Sequence, residues 1–211
     1  MRDRNAPLSA ADLDALAWDK MDGLLPAVIQ HAATGQVLML GYMDRDALEA
    51  TLSSGFATFY SRSKGRLWQK GETSGNRLAV KAVRTDCDED ALLVEAEPEG
   101  PTCHFGTTSC FSKEAASGVG FLAELADIVR HRAASGSEES YTARLLAEGP
   151  AKIAQKVGEE GVEVALAAVT RDVDGCVEET ADLIYHLTVL MQARGYGWDE
   201  VAAKLRERHS A

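Results

Sequence analysis

Phe111-Ser112-Lys113-Glu114-Ala115-Ala116-Ser117-Gly118 separates two different kinds of sequence. Before it, short apolar runs rich in aromatic and β-branched residues are broken by turn residues: LLPAVIQ at 24–30, QVLMLGYM at 36–43, ATFYSR at 57–62, RLW at 66–68 and RLAVKAVR at 77–84. That spacing predicts strands. One stretch differs, since Asp44 to Leu52 opens on a capping-type residue and stops before Gly55, as a helix does. Beyond Gly118 every segment carries helical spacing. Phe121-Leu122-Leu125-Ile128-Val129 forms one stripe, Tyr141 to Leu146 a short helix, Ile153-Val157-Val164-Ala168 another and Val177-Ala181-Ile184-Leu187-Met191 the next, with Trp198 to Arg208 last. The small, polar SKEAASG is therefore read as a boundary at 114/115. The expected architecture is two domains, 1–114 α+β and mostly β, and 115–211 an all-α helical bundle.

The length agrees with two small domains, because 211 residues would give each half roughly 100, near the common domain size. Domains that small gain from burying more surface between copies, so a homodimer is expected. The net charge of -11 and pI near 4.9 argue against a nucleic-acid binder, which shows a basic patch or stripe. Neither a signal-peptide core nor about 18 uninterrupted apolar residues occurs, so no membrane partner is expected and the cytoplasm is the expected location. In that reducing compartment the four cysteines are ligands or buried thiols rather than disulfides.

Two acidic clusters stand apart from the solvated carboxylates. In the first, Asp86, Asp88 and Asp90 alternate with Cys87 and Glu89. On a strand the three aspartates would share a face and Cys87 would point away. Carboxylates that close need a cation, and magnesium prefers oxygen donors. A solvated acidic turn is the plain alternative. Cys103 and Cys110 bracket the loop HFGTTS, and with Cys87 they make three thiolates, a set that leaves a tetrahedral zinc one open position. A closed zinc site with His104 as fourth ligand, or buried thiols without metal, fit the same residues. His104 is otherwise the candidate general base. Upstream, YSRS and WQKGETSGN combine Arg62, Lys70 and Ser74 with glycines, a set suited to phosphate oxygens and equally to an ordinary turn.

In the second cluster, Glu159, Glu160 and Glu163 share one predicted helix, and Glu179 and Asp182 the next. Packed antiparallel, these helices would gather the carboxylates around magnesium, which would grip a polyphosphate, while Lys152 and Lys156 contact its oxygens. Exposed acidic helix faces are the alternative.

At these residues the chain resembles the bifunctional histidine-biosynthesis proteins that join phosphoribosyl-AMP cyclohydrolase to phosphoribosyl-ATP pyrophosphatase. The cyclohydrolase blocks are GLLPAVIQ, VLMLGYMD, YSRSKGRLWQKGETSGN, DCDEDALL and GPTCHFGTTSCF; those of the pyrophosphatase are SYTARLLAEG, KVGEEGVEVALAA and ETADLIYHLTVLM. The resemblance runs from Gly23 onward. It implies zinc on Cys87, Cys103 and Cys110, in a site shared across a dimer, and magnesium on Asp86, Asp88 and Asp90. It also implies phosphoribosyl nucleotide substrates: the helical half would release pyrophosphate from phosphoribosyl-ATP, and the first half would break the N1–C6 bond of the product's purine with water activated at zinc. His104 and Glu163 are the catalytic candidates. Phe105 and His31 depart from the family pattern, where a smaller residue and an aspartate are expected, and Cys176 reads as an ordinary thiol. Two other functions stay in view: a zinc nucleotide deaminase fused to a house-cleaning nucleotide pyrophosphatase, and a non-catalytic zinc-stabilised nucleotide sensor. The deaminase signature, HxE with PCxxC, is absent.

Overall fold

The computed structural model describes residues 3, 6–111, 116, 118–135 and 140–209. It divides into two compact units, Met1–Gly120 and Phe121–Ala211. The boundary expected at 114/115 lies outside the described residues. The first unit is α+β and mostly β, and the second is all helical.

Six strands build the first unit: β1 (Leu25–His31), β2 (Val37–Met43), β3 (Thr58–Ser61), β4 (Arg66–Gln69), β5 (Arg77–Thr85) and β6 (Leu92–Glu99). A four-stranded sheet has the order β2-β1-β6-β5, and β3 pairs with β4. The β6 strand is absent from the strands read in the sequence. Its glutamates and Pro98 mask the pattern, yet Leu92, Val94 and Ala96 alternate onto the buried face. There β6 pairs parallel to β1, with Ala27 opposite Leu92 and Ile29 opposite Val94, so these apolar side chains meet in the core.

Helix α1 (Arg45–Ser54) starts where the Asp44 carboxylate accepts the Ala47 N–H at 2.8 Å and ends at Gly55 in the left-handed region. Ala47 and Leu48 are buried against the sheet. Thr51 is buried too, and its hydroxyl donates to the Ala47 carbonyl at 2.8 Å while accepting the Thr58 N–H at 3.0 Å. This satisfied polar group ties the helix to β3. Phe59 is 1% exposed and packs 5.7 Å from the Trp68 ring. Burial of such a side chain contributes about 2–3 kcal/mol.

The second unit holds α2 (Gly120–Ser135), α3 (Tyr141–Glu148), α4 (Pro150–Thr170), α5 (Val173–Arg194) and α6 (Trp198–His209). Only Arg171 and Asp172 separate α4 from α5, so the two run antiparallel as a hairpin. The Asp172 carboxylate caps α5 by accepting the Gly175 N–H at 3.0 Å. The buried apolar cluster is small: Val129, Leu145, Ile153 and Val189, with Leu125, Leu146, Tyr185, Leu190 and Ala193 around it. Among the described residues no helix is long and apolar enough to cross a membrane.

The 70–76 loop after β4 turns on Gly71, whose φ is +86° and where an added Cβ would lie 2.5 Å from the Asn76 carbonyl oxygen. Backbone cannot yield there without reshaping the loop. Gly71→Ala is expected to cost about 2 kcal/mol, from strain and overpacking together. Urea unfolding followed by tryptophan fluorescence would show a lower midpoint at unchanged slope.

Candidate active sites

The three aspartates of the first unit lie on the turn between β5 and β6, not on a strand as expected. The strand stops at Thr85, and the Asp86 N–H donates to the Ala91 carbonyl at 3.2 Å. Asp86 Oδ1 then accepts the N–H groups of Asp90 at 3.1 Å and Ala91 at 3.2 Å. Short acidic side chains compete for backbone donors in this way, which favours turns over sheet. Glu89 completes the turn in the left-handed region at φ 65°. The result still brings Asp86, Asp88 and Asp90 together, with one ligand oxygen from each within 4.8 Å of the others.

A cation from elsewhere in the chain reaches this group. Lys20 Nζ lies 2.8 Å from Asp88 Oδ2 and 3.5 Å from Asp90 Oδ2. Its hydrogen bond holds the Asp88 carboxyl below the usual carboxylate range and raises the lysine in turn. An all-oxygen donor set that already attracts a cation fits magnesium.

Cys87 sits on the same turn, exposed, with Sγ 3.9 Å from Asp88 Oδ1 rather than turned fully away from the aspartates. Cys103 and Cys110 are held elsewhere. The Cys110 N–H donates to the Leu38 carbonyl of β2 at 2.7 Å, and the Ser109 hydroxyl to that of Val37 at 2.7 Å, which pins the loop to the sheet edge. Inside the loop the Cys103 N–H donates to the Thr107 carbonyl at 2.9 Å. The Phe105 N–H, with smaller help from Thr107 and Cys110, draws the buried Cys103 thiol below its ordinary pKa. Burial, then the neighbouring Cys103, pushes Cys110 up. The structure thus brings together Cys103 and Cys110 as a pair. Cys87 does not join them within one chain, since among the described residues no group of three ligands forms around the thiols. A thiol already drawn towards thiolate suits zinc.

His104 lies beside this pair, with Nδ1 4.0 Å from Cys103 Sγ and its ring 4.0 Å from Phe105. Lys70 is close enough to oppose the rise at Cys110. Ser74 has a structural contact, its hydroxyl accepting the Asn76 N–H at 3.3 Å. Arg62 lies 3.9 Å over the Tyr42 ring, in a cleft of about 770 Å³ lined also by Met39, Leu40, Phe59, Tyr60, Ser61, Ser63 and Trp68.

In the helical unit, Glu160 and Glu179 are buried, and with Asp182 they form a second group of ligand oxygens within 4.8 Å of one another. Glu163 adjoins it: the charge of Glu160, then desolvation and Glu179, raise its carboxyl above the ordinary range. Glu159 does not share this group. Consecutive helical residues point about 100° apart, so Glu159 turns instead to Gln155 Nε2 at 2.7 Å and Lys156 Nζ at 2.8 Å. Lys156 also lies 3.6 Å from Glu160, whereas Lys152 reaches Gln155 at 3.3 Å. Oxygen donors of one charge, two of them buried and with the neighbouring Glu163 carboxyl pushed up, suit a divalent cation here too.

Two residues beside this group carry no role in the sequence reading. Arg171, at the α4–α5 turn, pairs with Glu179. His186 is buried, its Nδ1–H donating to the Asp182 carbonyl at 2.9 Å and lying 3.5 Å from Glu160 Oε1. Its Nε2 shares a hydrogen bond with the Tyr141 hydroxyl at 3.2 Å. The available sequence signal was position, because His186 is one helical turn from Asp182 and so on the same face.

Comparison with known proteins agrees with this division. Residues 39–112 match the family model of phosphoribosyl-AMP cyclohydrolase, and 122–209 that of phosphoribosyl-ATP pyrophosphohydrolase. The histidine biosynthesis bifunctional protein HisIE of Photobacterium profundum is 53% identical over 198 residues, covering 92% of this chain and 96% of that protein. Its counterpart in Escherichia coli K12 is 54% identical over 194 residues, covering 92% and 95%. That of Yersinia pestis is 48% identical over 202 residues, covering 96% and 98%. With both models matched in order and such relatives aligned almost end to end, the chain belongs to the family of bifunctional HisIE histidine-biosynthesis proteins.

Proposed function

We propose that this chain catalyses two successive hydrolyses of histidine biosynthesis, pyrophosphate release from phosphoribosyl-ATP in the helical unit and purine-ring opening of phosphoribosyl-AMP in the α+β unit. One observation carries the reading. Each of the two carboxylate groups falls within the segment matched to one activity, and the thiol pair falls with the aspartates in the cyclohydrolase segment.

In the α+β unit, Cys103 and Cys110 with a Cys87 would hold zinc, and Asp86, Asp88 and Asp90 would hold magnesium. Zinc supplies Lewis acidity toward water, and magnesium neutralises phosphate charge. Cys103 is prepared for metal by the N–H of Phe105. His104 takes the proton of the attacking water at Nε2, because Nδ1 lies against Cys103 Sγ. Arg62, Lys70 and Ser74 bind the substrate's phosphate and ribose. The aromatic wall of the Arg62 cleft suits the base.

In the helical unit, Glu160, Glu163, Glu179 and Asp182, with Glu159 beside them, would hold magnesium, and Lys152 and Lys156 would contact phosphate oxygens. His186 orients Glu160. Substrates are small phosphoribosyl nucleotides rather than nucleic acid, and we place the protein in the cytoplasm with no membrane partner.

The working form is a homodimer. Val162, Leu166 and Val169 make an exposed apolar stripe on α4, 59%, 56% and 79% exposed, continued by Val173 and Val177 on α5. Beside it an apolar groove of about 570 Å³ contains Cys176. A second copy would also supply the Cys87 that one chain keeps apart from its own Cys103 and Cys110.

The direct test is a coupled assay with phosphoribosyl-ATP, zinc and magnesium, following pyrophosphate and the ring-opened product; neither signal would remove the reading. Cys103→Ala or Cys110→Ala is expected to abolish ring opening and leave pyrophosphate release at wild-type rate. Loss of both activities in a folded variant would contradict separate sites.

Glu163→Gln is expected to block pyrophosphate release and spare ring opening. Because the Glu163 carboxyl is raised in the folded state, it favours folding while protonated and loses that contribution as pH rises through its folded value. The glutamine variant should therefore melt higher than wild type at pH 7.5 without metal. That advantage should fade as pH falls below the ordinary carboxylate range. A variant that melts lower at pH 7.5 would count against repulsion at this position.

A further inference from the structure

Lys20 precedes the segment matched to the cyclohydrolase and belongs to no proposed ligand set. It stands on a short 3-10 turn, Trp18–Met21, that is fastened to the aspartate turn at two points. The Ala17 N–H donates to the Glu89 carbonyl at 2.8 Å, and Lys20 Nζ donates to the Asp88 carbonyl at 3.2 Å. The indole N–H of Trp18 donates to the Leu13 carbonyl at 2.8 Å and fixes the start of the turn. The ammonium is thereby aimed at the aspartates, 2.8 Å from Asp88 Oδ2 and 3.5 Å from Asp90 Oδ2. Asp86 lies outside its reach and is occupied by backbone N–H groups through Oδ1.

We propose that Lys20 is the resident counter-cation of the aspartate turn: it holds Asp88 and Asp90 together before metal arrives, and a divalent ion entering the site must displace it. The inference rests on the magnesium reading of these aspartates. An ammonium and a magnesium ion cannot both bind the same carboxylate oxygens at contact distance without strong mutual repulsion. The lysine has a flexible stem and its side chain is half exposed, so it can leave for solvent while the backbone stays fastened. Asp86, free of the lysine, offers the entering ion its first ligand. Lys20 is in this way a positioning residue that sets the threshold for metal.

The test uses the full-length protein and two measurements. Acetylation of Lys20 by an amine-reactive ester, quantified by peptide mass spectrometry, reports whether its ammonium is free. Manganese binding, counted by electron paramagnetic resonance as a stand-in for magnesium, reports the site, with Asp88→Asn as the variant that should lose it. The expected result is that magnesium raises Lys20 acetylation severalfold over sodium chloride of equal ionic strength, with no rise in Asp88→Asn. Lys20→Met should bind manganese at this site about fivefold more tightly, the upper range for release from an exposed ion pair. If Asp88→Asn loses a manganese site while acetylation and the Lys20→Met affinity stay unchanged, displacement is wrong and the metal reading survives. If Asp88→Asn loses no site and magnesium leaves acetylation unmoved, the metal reading falls and the inference with it.

Discussion

Repulsion between gathered carboxylates governs both units of this chain. In each, three acidic side chains present oxygens within 4.8 Å of one another, a spacing that an acidic protein of net charge -11 does nothing to relieve. Each group is held against that repulsion in two ways. Backbone geometry fixes the carboxylates, through a turn closed by Asp86 in one case and an antiparallel helix hairpin in the other. Cations of the chain then offset part of the charge: Lys20 on the aspartates, and Arg171 and Lys156 on the glutamates. What remains uncompensated is visible at Glu163, which its acidic neighbours push toward the protonated form. A divalent ion would complete the compensation.

The two units solve the same problem on different scaffolds. In the α+β unit the candidate reactive groups lie on loops, where the chain leaves the sheet at Thr85 and where residues 103–110 are pinned to β2. A rigid sheet lets such loops carry special geometry without loss of the core. The Cys103 loop uses this freedom to aim a backbone N–H at sulfur, which no regular strand would allow. The helical unit instead sets its carboxylates at helical spacing on facing helices, and the buried His186 links Asp182, Glu160 and Tyr141. In the α+β unit the soft pair Cys103 and Cys110 is kept on a loop apart from the hard aspartates, with Cys87 alone on the aspartate turn, and the hard donors of the other unit stand on helices.

Much of this was legible in the sequence because it is local. Helix α1 could be read from Asp44 and Gly55, and the change from period-two to helical spacing gave the order of the two units. The aspartates could be read as a group for a reason that does not hold: strand alternation was expected, and turn formation by Asp86 is what gathers them. The same local competition moved Cys87 onto the turn. Glu159 was grouped through Glu163, one helical turn on, although the ligand group forms around Glu160, from which helix geometry turns Glu159 away. Strand β6 was missed because glutamates and a proline occupy the positions that face away from the core or close the strand. Lys20, Arg171 and His186 escaped for another reason, since their roles arise from contacts that pattern reading does not weigh. Lys20 and Asp88 are 68 positions apart.

The charge arrangement of the helical unit also bears on assembly. The facing sides of α4 and α5, which a simple helical hairpin would fill with apolar residues, hold the buried Glu160, Glu179 and His186. Polar groups there need partners and contribute little to net stability. The apolar cluster that remains is small and gathers around Val129, Leu145, Ile153 and Val189. Meanwhile Val162, Leu166, Val169, Val173 and Val177 stand exposed on the same two helices. A unit of this size with an apolar stripe outside leaves unburied some of the surface that small domains draw on for stability. In the homodimer proposed above a second copy would cover the stripe, and the buried carboxylates would then bear on assembly as well as on the proposed chemistry.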